Sequence, residues 1–165
     1  MIRSNGLLVV AVVLGITSTS VAHADALGAG SGAFSRGDFE SAARQLLPLA
    51  ERGYARAQAM VGFMYATGQG LPQAYDAASY WYRLAAEQGD TTAQYLLGLA
   101  YDKGQGVPQD DVAAYKWLNL AAARAPKRLR EHYAQLRNAV ASKMSRGQIA
   151  AGQWHSLRWP GDSPF

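Results

Sequence analysis

Apolar residues recur along this chain at intervals of three and four, the period of a helix with one buried face. Phe39, Ala42, Ala43, Leu46, Leu47 and Ala50 form one such stripe, and Asp38 stands where an N-cap belongs. Ala57, Val61, Met64 and Tyr65 form a second stripe, and Ala77, Ala78, Trp81, Leu84 and Ala85 a third. Leu129, Tyr133, Leu136, Val140 and Met144 mark a longer helix. Ser145-x-x-Gln148 is a capping-box pattern that opens a last helix, ending near Leu157 before Trp159-Pro160. Pro48 lies inside the first stripe and predicts a bend there.

The middle of the chain is written twice. A shift of 36 residues lays Gly53–Gln88 on Gly89–Arg124 with 16 identical positions, which makes a repeated structural unit the controlling feature of the fold. Ala57, Gln58, Gly62 and Tyr65 pair with Ala93, Gln94, Gly98 and Tyr101. Gly68-Gln69-Gly70, Pro72 and Gln73 pair with Gly104-Gln105-Gly106, Pro108 and Gln109. Ala77, Ala78, Trp81, Leu84, Ala85 and Ala86 pair with Ala113, Ala114, Trp117, Leu120, Ala121 and Ala122. A glycine inside a helix costs about 1 kcal/mol relative to alanine, so its return at Gly98 points to close helix packing. Trp81 is expected to fill the space beside these small residues. The Gly-Gln-Gly-hydrophobic-Pro stretch ends one helix and turns the chain into the next. Two antiparallel helices per unit, stacked on the next pair, predict an all-α solenoid.

The repeated unit resembles the Sel1-like repeat family, relatives of tetratricopeptide repeats. Ala93, Leu97, Gly98, Tyr101, Gly104, Gly106, Val107, Asp110, Ala114, Trp117, Ala121 and Ala122 meet its pattern. The first copy departs from it at Val61, Leu71 and Ala74, the last standing where Asp110 stands in the second copy. The division that follows is 1–24 an export signal, 25–52 an incomplete N-terminal repeat, 53–88 and 89–124 complete repeats, and 125–165 a helical cap and tail. Residues 25–34 either supply the first helix of the incomplete repeat or fray.

Residues 1–24 carry Arg3, the apolar run Leu7–Ile16 and Ala22-His23-Ala24, the layout of a secretory signal peptide with cleavage after Ala24. Ten residues of helix rise about 15 Å, half of a bilayer core, so an uncleaved anchor is the weaker alternative. The expected destination is the periplasm or the medium. Without cysteine the chain has no disulfides, thiol catalysis or lipoprotein attachment.

Sequence chemistry is sparse. Gly68-x-Gly70 lacks the third glycine of a dinucleotide cradle, with Gln73 in its place, and no strand precedes it. His132 and His155 stand outside any metal-ligand frame, and no G-x-S-x-G or S-x-x-K occurs, so neither metal nor cofactor is expected. Asp110-Asp111 suits a helix start.

Charge is uneven. Residues 25–115 sum to −4 and residues 116–165 to +7. Arg124, Lys127, Arg128, Arg130 and Arg137 crowd the last segment as either a solvated face or a docking patch for an acidic partner. The modest net charge of +4 and the export signal argue against nucleic acid. On a tetratricopeptide-like frame, Arg56, Ala59, Phe63 and Thr67 line the concave face, continued by Tyr95, Leu99, Asp102 and Lys103. For Phe63 and Leu99, burial under a neighbouring helix is the competing role.

The resemblance implies a non-enzymatic exported adaptor or regulator of the bacterial cell envelope, binding a protein or peptide on that face. An anionic polysaccharide or a membrane surface is a further partner class. Two other classes stay open: a β-lactam-binding or β-lactam-hydrolysing enzyme, as in cysteine-rich relatives, and a structural part of a polysaccharide or cell-wall assembly.

Overall fold

The computed structural model describes residues 24–159. Of the expected export signal only Ala24 falls within them, and residues 160–165 also lie outside the described residues. The described residues form eight helices and no strand: α1 at 24–35, then α2 Phe39–Glu51, α3 Ala55–Thr67, α4 Tyr75–Glu87, α5 Thr91–Lys103, α6 Asp111–Arg124, α7 Lys127–Ala141 and α8 Arg146–Leu157. None is long and apolar enough to cross a membrane. Residues 25–34 belong to α1, so the N-terminal unit is a full helix pair.

Local chemistry sets the helix starts. Asp38 accepts from the Ser41 amide, Asp90 from Ala93, and Asp110 from both Val112 and Ala113. Ser145 and Gln148 close a reciprocal capping box at α8. Ala74, in the slot of Asp110, begins α4 without a side-chain cap. Helices α3 and α5 end on Gly68 and Gly104. Pro48 sits within α2 on its exposed side.

Helices pair α1 with α2, α3 with α4 and α5 with α6, each pair crossing at a glycine. A Cβ on Gly30 would lie 2.7 Å from Leu46, one on Gly62 2.7 Å from Tyr82, and one on Gly98 2.7 Å from Leu118. Tyr82, not Trp81, therefore fills the crossing. Trp81 stays half-buried against the N-terminal core and meets Tyr80 edge to face. The reason is register: the residue after each tryptophan position points at the glycine, and only the absence of Cβ lets it in.

Successive pairs are joined through their turns. Gly70 presses on the Phe39 carbonyl and Gly106 on that of Tyr75, so each turn rests on the first residue of the preceding pair's second helix. At Gly106 φ is 71° and an added Cβ would come 1.9 Å from the Tyr75 oxygen, so glycine is required twice over. Ser79 donates its hydroxyl to the Gly106 carbonyl at 2.8 Å. Buried Gln58 and Gln94 donate to the carbonyls of Ala50 and Ala86, tying α3 and α5 to the ends of α2 and α4.

The last two helices depart from this plan. Helix α7 packs on α6, and α8 packs on α6 as well rather than closing on α7. Gly152 lies against the Tyr115 ring, Ser156 donates to the Lys116 carbonyl, and Trp159 meets Trp117 edge to face.

Candidate partner-binding surface

The first helices of the four units, α1, α3, α5 and α7, line one side of the stack, the inner side of such solenoids. Phe34 and Phe63 meet edge to face across the first seam, 5.5 Å between centroids. Across the second seam, Ala66, Leu96, Leu99 and Lys103 wall a cavity of about 100 Å³ floored by Tyr82. Across the third, Leu99, Asp102, Leu136, Ala139 and Lys143 wall one of about 190 Å³ floored by Leu118. Tyr82 and Leu118 are 36 residues apart, so the cavities are the same socket in consecutive units, and Leu99 belongs to both.

The residues that the sequence assigns to this face divide into four groups. Arg56, Thr67 and Lys103 are exposed, with the Thr67 hydroxyl donating to the Phe63 carbonyl at 2.9 Å. Phe63 and Leu99 are half-buried and form its apolar bed. Tyr95 packs into the seam with α7, and Asp102 both walls the third-seam cavity and bonds across that seam. The Tyr95 ring stacks on Tyr133 at 4.5 Å and 13°, and burial raises its phenol pKa. Asp102 accepts from Lys143, which also pairs with Asp111 at 3.1 Å. These bonds hold the Lys143 ammonium above its usual pKa, Asp102 contributing most. Ala59 is buried.

The basic residues do not form one free patch. Lys127 and Arg128 are exposed. Arg124 lies over the Trp159 ring at 4.5 Å, Arg130 donates to the Ala125 carbonyl, and Arg137 donates to Asn119 and Asn138. Three of the five cations are thus engaged in holding the terminal unit together.

Sequence reasoning missed Lys143 as the clamp of α7 and Phe34 as the start of the apolar path. Lys143 lies 40 residues beyond Lys103, outside the 36-residue step, so periodicity alone did not point to it. Among the described residues, no three His, Asp or Glu side chains gather as a metal-binding group.

The Sel1 repeat model matches residues 55–90 and 91–125. The chain carries two Sel1 repeats. Among solved structures, these repeats and their flanks are similar to a protective antigen of uropathogenic Escherichia coli strains displaying an SLR fold. Identity is 26% and the TM-score 0.77, over 84% of this chain and 30% of that one. A Sel1 repeat protein from Oxalobacter formigenes is 26% identical with a TM-score of 0.64, over 81% of this chain and 53% of the other. The chain thus spans 30% of the first of these longer relatives and 53% of the second. No curated protein matches it by sequence. Sel1 repeats generally mediate protein–protein interaction, and their fold is typically non-catalytic.

Proposed function

We propose that this Sel1-repeat protein is an exported, non-enzymatic interaction module of the bacterial cell envelope that takes an extended partner segment across its inner face. The observation that supports this most is the pair of repeat-spaced sockets sharing Leu99 as their common wall. Neighbouring helix axes lie about 8–10 Å apart, and three residues of extended chain span about 10 Å. One partner strand can therefore place apolar side chains at every third position into consecutive sockets. Lys103 at the mouth of the first favours an acidic residue beside them. Two sockets give a small interface, so binding is transient.

Selection of a displayed peptide library on the purified protein tests the reading. Enriched peptides carry apolar residues three apart with an adjacent acid, and Leu99→Lys abolishes their binding. Enrichment of nothing, or peptides indifferent to Leu99→Lys, overturns the groove. N-terminal sequencing of the protein from an envelope fraction tests export. A chain beginning at Asp25 supports it, and an uncleaved cytoplasmic chain refutes it.

A further inference from the structure

The two sockets of the inner face differ in their floors. Each floor is the side chain that crosses a glycine of its unit, Tyr82 over Gly62 and Leu118 over Gly98. Leu118 meets its glycine with Cγ and Cδ2, close to the tip of the side chain. Tyr82 meets its own with Cδ1 and Cε1, along the flank of the ring, so the hydroxyl is carried farther. The longer floor leaves the smaller socket, about 100 Å³ against about 190 Å³.

Their chemistry differs as well. Ala66, Leu96, Leu99 and Ala100 give the first socket aliphatic walls, but its floor ends in a phenol. Tyr82 is 4% exposed, and among the described residues no group bonds its hydroxyl. Burial alone raises its phenol pKa, with no hydrogen bond to offset it. The Ser79 hydroxyl beside it is already given to the Gly106 carbonyl. In the second socket Leu118, Leu136 and Val140 are aliphatic, and the charged members Asp102 and Lys143 bond each other.

We propose that the first socket selects a small side chain carrying a hydroxyl or amide, threonine above all, and that Tyr82 sets this choice, while the second takes a large apolar one. The choice rests on the groove reading of this face and gives one of its two apolar positions a polar tip. A water-sized group takes about 30 Å³, so the first socket holds about three such groups and the second about six. Threonine supplies Cβ and a methyl to the walls and a hydroxyl to accept from Tyr82. Valine has the same shape and leaves the phenol unpaired, which costs about tenfold in binding. A carboxylate would have to shed its water against aliphatic walls, so the acid that Lys103 favours stays at the mouth. Because the sockets are unlike, only one direction of the partner segment fits both.

Selection of the displayed peptide library on wild type, Tyr82→Phe and Tyr82→Leu tests this, followed by fluorescence anisotropy of an enriched peptide and its valine counterpart. Wild type enriches threonine, serine or asparagine three positions from a large apolar residue, and binds the threonine peptide about tenfold tighter than the valine one. Tyr82→Phe binds the two equally or prefers valine. Tyr82→Leu copies the floor of the next unit and enriches large apolar residues at both positions. Equal binding of the two peptides by wild type, or a threonine preference that survives Tyr82→Phe, overturns the proposal. It leaves the groove standing wherever Leu99→Lys still abolishes binding, whereas a library that enriches nothing overturns both. Urea unfolding supplies a second reading that needs no partner. Tyr82→Phe unfolds at the wild-type midpoint or a higher one, since the hydroxyl has no bond within the fold to lose. A lowered midpoint shows that the fold itself uses the hydroxyl, and overturns the assignment.

Discussion

The two inner helix pairs, α3–α4 and α5–α6, close on themselves at a glycine, whereas the terminal α7 and α8 each pack on α6. In the inner pairs a glycine lets Tyr82 or Leu118 reach the backbone of the facing helix, and the stripe disappears from water. In the terminal unit α8 leans on α6 through Gly152 and Ser156, while Trp154 and Leu157 face outward. The difference teaches that hydrophobic periodicity sets which residues share a face. Whether that face is covered depends on how closely another helix can come.

The widest separation between the two regions is expected between a side chain that fills a glycine crossing and one on the outward face of α8. Leu118→Ala removes a fully buried side chain and costs about 2–5 kcal/mol. Trp154→Ala, on the outward face of α8, stays within about 0.5 kcal/mol. Urea unfolding measures both, and equal losses would mean that α8 is as closed as α6.

A smaller effect separates the two repeats themselves. Asp110→Ala costs about 1 kcal/mol through loss of two amide contacts at the start of α6. Ala74 holds nearly the same backbone, φ −154° and ψ 104° against −150° and 104°, so Ala74→Asp adds a cap to α4 and gains about as much. A loss at Ala74→Asp would show that the first repeat rejects the cap for reasons of packing.

The smallest effect concerns the clamp on α7. Lys143 is raised above 10.5 by Asp102 and then Asp111. A raised folded-state value means that the stabilisation is complete below the unfolded lysine's pKa and lost as pH rises through the folded one. Lys143 is largely solvated, so the contribution is below about 1 kcal/mol. Thermal unfolding of wild type and Lys143→Met should differ by a constant amount up to pH 10 and converge above about pH 10.5. A gap that persists in strong alkali would assign Lys143 to packing instead of charge.

Much of the helix order is legible in the residues. The caps at Asp38, Asp110 and Ser145 and the turn at Gly104-Gln105-Gly106 are local choices, decided within four or five positions of chain. The inner face was legible only in part. Phe63 and Leu99 sit on it, whereas Tyr95 stacks under Tyr133 and Asp102 bonds Lys143, because α7 arrives from 40 residues away. Arg124 and Arg137 look free in a count of charges, yet Trp159 and Asn119 engage them through contacts that no local pattern announces.

By itself, then, the sequence determined the unit, its period and its punctuation, since spacing and capping are properties of neighbouring residues. Tertiary structure decided which side of the last helix is packed and which residues of the inner face stay free, as Gly152 and Ser156 against α6 and Tyr95 under Tyr133 show. Burial is settled by what packs across the gap.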